Sequence, residues 1–276
     1  MHSGKGSIQS ALFDFELTIS TRVFMNMSSQ QVIKNVAIDL SNNDEAEVQH
    51  LTENWQQVKT QVVQACEQTL RAPSSVTLLA VSKTKSAEMV ATLARQGQHD
   101  FGENYLQEAI EKIQLLREQV GCKHIVWHYI GSIQRNKTRD IAEHFDWVQT
   151  LERDIIAKRL NDQRPAELPP LNVLIQINID NEDSKSGCLP EQLPELLTAI
   201  KNYERLQLRG LMIIPAKANT DAFKRTKQLF DDIKRTHPEL SQWDTLSMGM
   251  SDDMTDAIAS GTTMVRVGTA IFGARA

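Results

Sequence analysis

The chain has 276 residues, of which 41% are hydrophobic and 24% charged, and carries a formal net charge of −5 at pH 7. That is apolar material for one large core, and an α/β barrel of about 250 residues commonly forms a single domain; the acidic balance speaks against a general nucleic-acid binder, which presents a basic face. Three dispersed cysteines, Cys66, Cys122 and Cys188, form no CxxC pair and no zinc spacing, as expected of a reduced, cytoplasmic compartment, and no apolar run reaches the roughly 18 residues of a membrane span.

Residues 1–27 show mixed polarity and no sustained period. Ala11-Leu12-Phe13 is cut short by Asp14 and Glu16 before it can serve as a signal segment. Ser3-Gly4-Lys5-Gly6-Ser7 lacks the frame of a phosphate loop, and no strand precedes it. Residues 1–45 are therefore expected to be a weakly ordered extension, with a single domain over 46–276. From residue 46 the pattern becomes regular: Leu51, Trp55, Val58, Val62, Cys66 and Leu70 recur at three- and four-residue steps, the stripe of an amphipathic helix.

Strand-like and helix-like segments then alternate. Strands are predicted over Val76–Lys83, His99–Asn104, His124–Gly131, Asp146–Leu151, Leu171–Asp180, Leu206–Pro215, Thr245–Met250 and Met264–Phe272. Helical periods fill the intervals, over Ala87–Arg95, up to Leu116, Asn136–His144, Arg153–Asn161, Pro190–Tyr203, Asp221–Thr236 and Asp252–Ser260. Most of the strands are continuous apolar runs, as in parallel sheets buried on both faces. Eight such units predict a single (β/α)8 TIM barrel with an extra N-terminal helix, 46–71, standing in the outer ring where a helix after the eighth strand is missing. A doubly wound sheet is the alternative, but its first turn here, Ser82-Lys83-Thr84-Lys85, has no glycine for a dinucleotide.

In such a barrel the reactive groups sit at the carboxyl ends of the strands. The first apolar run delivers Lys83 there. A lysine in a partly desolvated pocket loses basicity and can attack an aldehyde to form an imine; the alternative is a lysine whose stem lies along the surface and whose amine reaches solvent. The loops after the last two strands are where barrels often bind phosphate. Ser251 is placed as the N-cap of helix 252–260, and Gly268-Thr269 offers close backbone approach plus a hydroxyl. Asp252 and Asp253 would oppose a phosphate if they turned inward. Arg266 lies inside an apolar strand and needs a buried acceptor, such as a carboxylate or a ring nitrogen. Imine at one end, phosphate at the other and a partner for a pyridine nitrogen describe a pyridoxal phosphate site.

The chain closely resembles the pyridoxal phosphate homeostasis protein family, single-domain relatives of the alanine racemase N-terminal barrel. The resemblance is carried in order by Ala80-Val81-Ser82-Lys83-Thr84-Lys85, Phe101-Gly102-Glu103-Asn104-Tyr105, Trp127-His128-Tyr129-Ile130-Gly131 with Ser132 to Lys137, Ser184-Lys185-Ser186-Gly187, Arg209-Gly210-Leu211-Met212, Leu246 to Asp253 and Val265 to Gly273. It implies that Lys83 holds pyridoxal 5′-phosphate as an imine, that Ser251, Gly268 and Thr269 hold the phosphate, that Arg266 faces the pyridine nitrogen, and that Asn104 lines the ring. Nothing transfers onto the first 45 residues.

An arginine at the ring nitrogen keeps the ring neutral, and a neutral ring is a weaker electron sink than a pyridinium. Racemases on this barrel add a second domain that supplies a tyrosine base. This chain ends at Ala276, and its tyrosines are Tyr105, Tyr129 and Tyr203, so efficient two-base racemisation is not expected. The leading expectation is a cytoplasmic, monomeric protein that binds, buffers or delivers the cofactor, with pyridoxal-phosphate-dependent apoenzymes as recipients, no nucleic acid or membrane partner, and little or no catalysis. An amino-acid racemase or related imine-forming enzyme is the runner-up, and an aldolase-like barrel that captures a sugar phosphate is the third reading. Lys85, Lys137 and Lys185 are candidates for an electrostatic funnel at the mouth, or plain surface lysines. His128 reads as a site liner or, more in keeping with a single strand histidine, a hydrogen-bonded core residue, and Glu103 as a residue that orients neighbours or pairs with a lysine.

Overall fold

The structure, a computed structural model, describes residues 42–216 and 220–274. The expectation of a weakly ordered extension over 1–45 falls, except for its last four residues, outside the described residues. The first helix, α1 (Asn42–Gln68), begins within those four. Its stripe of Leu51, Trp55, Val58, Val62 and Cys66 is buried, while Leu70, at the end of the expected stripe, is exposed in a left-handed turn at φ 56°.

Eight parallel strands follow: β1 (Thr77–Val81), β2 (Asp100–Glu103), β3 (Val126–Tyr129), β4 (Trp147–Leu151), β5 (Leu171–Gln176), β6 (Leu206–Met212), β7 (Thr245–Ser247) and β8 (Met264–Val267). Each pairs with the next, and β1 pairs with β8 from Thr77↔Met264 to Ala80↔Val267, so the sheet closes into a barrel. The doubly wound alternative is thereby set aside. The intervening helices are α2 (Ala87–Arg95), α3 (Leu106–Leu116), α4 (Thr138–His144), α5 (Asp154–Gln163), α6 (Leu193–Ile200), α7 (Thr220–Thr236) and α8 (Met254–Ala259), and a last turn, α9 (Thr269–Phe272), follows β8.

Most strands are shorter than their apolar runs. The residues beyond each carboxyl end leave the ladder and build the loops at that face, which is where Lys83, Asn104 and Gly131 lie. Two expected helices open as 3₁₀ turns, Arg135–Lys137 and Pro190–Gln192. A register shift between β5 and β6 falls beside Gly210, at φ 150°, where a Cβ would stand 1.8 Å from the Thr245 carbonyl oxygen. Only glycine allows the two backbones to approach so closely.

Helix α1 occupies the outer-ring gap after β8, packed on α8 and α9. It is tied there by polar contacts as well as by its apolar stripe. Trp55 Nε1–H donates to Gln98 Oε1 (2.8 Å), Asn54 to the Ile271 carbonyl (3.3 Å), and Arg71, just past the helix, to the carbonyls of Ile258 (2.8 Å) and Thr262 (2.7 Å). The three cysteines are buried, unpaired thiols. Among the described residues no helix is long and apolar enough to cross a membrane.

Candidate functional site

At the carboxyl end of β1 the chain runs through Ser82 and Lys83 and then turns sharply at Thr84, whose φ is 62°. A non-glycine residue in that region is strained and needs outside support. The support is a buried charged cluster. Lys112 of α3 donates from Nζ to the Ser82 carbonyl (2.7 Å), to Glu103 Oε1 (2.8 Å) and to Glu108 Oε1 (2.6 Å). The Ser82 hydroxyl donates to Glu103 Oε1 (2.7 Å), and the Thr84 N–H donates to Glu108 Oε1 (2.6 Å). The peptide groups on both sides of Lys83 are thus gripped from β2 and α3. Burial pushes the Glu103 carboxyl up against the opposing pull of Lys112.

Neither Lys112 nor Glu108 stood out in the sequence. The only local signal is their i,i+4 spacing on one helix, common to many surface pairs. The structure resolves the reading of Glu103: it pairs with a lysine and, through Ser82, orients the neighbour of Lys83.

Asn104 follows Glu103, and its Oδ1 is buried without a hydrogen-bond partner. Gly131 lies against it; a Cβ there would sit 2.5 Å from the Asn104 carbonyl oxygen and 2.9 Å from its Cα. On the other side of β1, Arg266 is buried inside β8. Its Nη1 donates to Ser247 Oγ (2.8 Å) and its Nη2 to the Ile213 carbonyl (2.8 Å). No carboxylate among the described residues is within ion-pair distance of it, so desolvation lowers its pKa to about 10, with Asp253 pulling weakly the other way. It stays cationic at neutral pH.

The expected N-cap role of Ser251 is corrected. Helix α8 starts at Met254, with Asp253 in the cap position. The Asp253 carboxylate turns back to accept the Met250 N–H (2.6 Å), outside the helix, and makes no side-chain bond to the N–H groups of the first helical turn. Ser251 instead lies half-buried in the turn that precedes the helix. Gly268 leads into α9, and a Cβ on it would stand 3.2 Å from the Val81 carbonyl oxygen, so its bare backbone lets β8 pass close to the end of β1.

Lys83, Asn104, Ser251, Arg266, Gly268 and Thr269 all line a single cavity of about 410 Å³ at the carboxyl ends of the strands. Exposed Ile214 and Met250 contribute to its lining. Lys85 also lines it and donates to the Ala274 carbonyl (2.9 Å). Lys185 reaches the carbonyl of Ile214 (3.2 Å), whereas Lys137, in its 3₁₀ turn, is not part of the wall. His128 is fully buried and outside the cavity, as a core histidine should be, and Met248 and Met254 are core residues. Among the described residues no group of His, Cys, Asp and Glu has the arrangement of a metal site.

The arrangement offers an amine at one side of the cavity, backbone and hydroxyl donors at another, and a guanidinium in the wall. It suits a small molecule that is anionic at one end and electrophilic at the other.

The profile of the alanine racemase N-terminal domain family matches residues 47–276. The pyridoxal phosphate homeostasis protein of Escherichia coli K12 is 52% identical over 230 residues, covering 82% of this chain and 97% of that protein. The protein of the same name from Haemophilus influenzae is 51% identical over 233 residues, covering 83% and 96%. Among solved structures, PipY of Synechococcus elongatus PCC7942 with PLP bound superposes with a TM-score of 0.69 at 30% identity, over 81% of this chain and all of that one. An alanine racemase from Clostridium difficile, 14% identical with a TM-score of 0.62 over 81% of this chain and 56% of its own, shares the fold. The chain belongs to the alanine racemase N-terminal domain family and, within it, to the pyridoxal phosphate homeostasis proteins.

Proposed function

We propose that this protein binds pyridoxal 5′-phosphate in the cavity at the barrel mouth and serves the homeostasis of that cofactor, holding and releasing it with little or no catalysis of its own. The observation that carries the reading is the convergence of Lys83, Asn104, Arg266 and the Ser251, Gly268 and Thr269 loops, from opposite ends of the chain, on one cavity. The residues fit the group. A volume of about 410 Å³ is within the roughly 300–1,000 Å³ of small-molecule sites. The unpartnered Asn104 Oδ1 faces a polar deficit that a bound ligand can relieve, and Gly268 keeps the backbone open where a phosphate would approach.

The cofactor supplies a reactive aldehyde and a phosphate dianion. Lys83, held by the cluster around Lys112, provides the amine for the aldehyde end. The Ser251 and Thr269 hydroxyls and the Gly268 backbone provide the phosphate end. Arg266 would serve the ring nitrogen and, as a donor-only cation, would leave that nitrogen unprotonated. A neutral ring is the weaker electron sink, which favours storage over carbanion chemistry. The relatives' name and the bound PLP of PipY support the same reading. Recipients would be pyridoxal-phosphate-dependent apoenzymes in the cytoplasm, and the protein is proposed to act as a monomer.

Borohydride reduction after incubation with the cofactor, followed by peptide mass mapping, tests the site: the mass increase is expected on the peptide carrying Lys83 and is lost in Lys83→Ala. Modification elsewhere, or none, overturns the reading. Sustained turnover of a free amino acid that Lys83→Ala abolishes would replace the homeostasis role with the enzymatic alternative.

A further inference from the structure

From Arg266 a continuous line of side-chain hydrogen bonds leads away from the cavity through the barrel interior. Arg266 Nη1 donates to Ser247 Oγ (2.8 Å), and the Ser247 hydroxyl donates to Gln149 Oε1 (2.7 Å). Gln149 Nε2 meets His128 Nδ1 (3.0 Å), and His128 Nε2 meets Asp100 Oδ1 (3.0 Å). The five residues come from five strands, and the Ser247–Gln149 bond joins β7 to β4, which are not neighbours in the sheet. Ser247, Gln149 and His128 are fully buried. Asp100, the first residue of β2, stands at the opposite end of the barrel from the cavity with its side chain 24% exposed.

The two ends dictate the polarity of the whole line. Arginine can only donate, so Ser247 must accept with a lone pair. Its single proton then goes to the Gln149 carbonyl oxygen, which turns the amide nitrogen toward His128. His128 Nδ1 must therefore be the unprotonated nitrogen, and its Nε2–H faces a carboxylate that can only accept. Reversing the Gln149 amide would leave the Ser247 proton without an acceptor and put the lone pair of His128 Nε2 against Asp100. The second amide N–H of Gln149 is occupied by Met264 Sδ (3.1 Å), which helps lock the orientation. Stacking on Trp147, with ring centroids 5.1 Å apart, fixes the plane of His128.

We propose that Gln149 is a positioning residue for Arg266: its amide aims the Ser247 lone pairs at the guanidinium, and so couples the wall of the cavity to the His128–Asp100 pair at the far end of the barrel. The inference rests on the proposal that the cavity takes pyridoxal 5′-phosphate with Arg266 at the ring nitrogen. Gln149 touches no ligand; it acts through Ser247.

The test compares the affinities of the full chain for two ligands, pyridoxal 5′-phosphate and its carbocyclic analogue with C–H in place of the ring nitrogen. Both carry the aldehyde and the phosphate, and they differ only at the atom Arg266 serves. Wild type is expected to prefer the natural cofactor. Gln149→Met, close in shape but unable to accept from Ser247, is expected to cut that preference at least tenfold while binding of the analogue changes less than threefold. Gln149→Glu keeps the shape of the side chain and still accepts the Ser247 proton, so it is expected to keep the preference within threefold of wild type. It also keeps the idea falsifiable if the methionine variant fails to fold, because Glu matches Gln in shape and keeps the acceptor, so a preference lost there counts directly against the positioning role. An equal loss for both ligands in Gln149→Met, or a preference lost in Gln149→Glu, overturns the positioning role. A wild type that binds neither ligand overturns the cofactor reading itself. A wild type that binds both without preference overturns the placement of Arg266 at the ring nitrogen.

Discussion

Lys112→Met removes an ammonium whose three hydrogens are all in use, and its consequences can be worked from the surroundings. Glu108 is 32% exposed on its side chain, so it can turn to water and contributes little to the loss. Glu103 is fully buried, and its Oε2 already lacks a partner. Removing one member of a buried pair costs roughly 3–5 kcal/mol, because the remaining charge is uncompensated. Glu103 can escape by taking a proton, at a cost of about 4 kcal/mol at pH 7 for a carboxyl of ordinary pKa near 4.3, which caps the loss.

The pH dependence follows from the direction of the shift. Burial already places the folded Glu103 carboxyl above its usual value, and without Lys112 it moves higher. The folded variant then binds a proton that the unfolded chain releases, so stability falls as pH rises, at up to about 1.4 kcal/mol per pH unit above the unfolded value. Because wild type already bears part of that cost through its own raised Glu103, the deficit relative to wild type should be at most about 4 kcal/mol at pH 7 and at most about 1 kcal/mol at pH 5. Urea unfolding of both proteins from pH 5 to 8 measures it. A deficit that is constant across that range, or larger at pH 5, refutes the assignment of the cost to Glu103.

Other outcomes are expected on the same grounds. Gly131→Ala should lose about 1–3 kcal/mol in chemical unfolding and weaken cofactor binding, because its Cβ must displace the Asn104 backbone 2.5 Å away. Gly97→Ala, at φ 96° with nothing within 4 Å, should leave cofactor binding unchanged. Arg266→Met should weaken cofactor binding at least tenfold yet cost the cofactor-free protein less than the roughly 3–5 kcal/mol of a broken buried pair, since desolvation lowers that guanidinium to about 10 with no carboxylate lost in exchange. Cys188 should resist thiol-specific alkylation at pH 8 until urea unfolds the chain, because burial pushes its pKa up to about 12 and only the thiolate reacts.

Much of this architecture was legible in the chain. Continuous apolar runs such as Leu78–Val81 announce strands buried on both faces, and their alternation with amphipathic periods points to a closed barrel. The stripe of α1 was equally plain, because helical period is a local property. What failed was local in another sense. The turn after β7 contains Ser251, Asp252 and Asp253, three residues that can each cap a helix, and sequence alone does not tell which of them stands where the helix begins. Strand ends ran long because hydropathy marks burial, and several of the first loop residues at the mouth, Ile177, Ile213 and Met248 among them, are as buried as the ladder itself.

The supporting groups were invisible for a different reason. Lys112 reads as one more charged position on a helix until β1 and β2 bring Ser82 and Glu103 beneath it. Gln149, inside Trp147–Leu151, is a polar residue in a strand; only the barrel's curvature brings it to Ser247, 98 positions later. Residues that touch a ligand sit at places the fold class names in advance, whereas residues that orient them are set by neighbours across the sheet.

The closure of β1 on β8 also carries a consequence for the order of synthesis. Thr77 finds its partner only when Met264 exists, and α1 docks on α8 and α9, the last of the described helices in chain order. A chain emerging from the ribosome therefore holds its lysine loop long before its arginine strand, with two open sheet edges in between. Pairings separated by nearly the whole sequence form late and slowly. A partly made chain can display the amine of Lys83 but not the cavity, so capture of the cofactor becomes a property of the finished molecule alone.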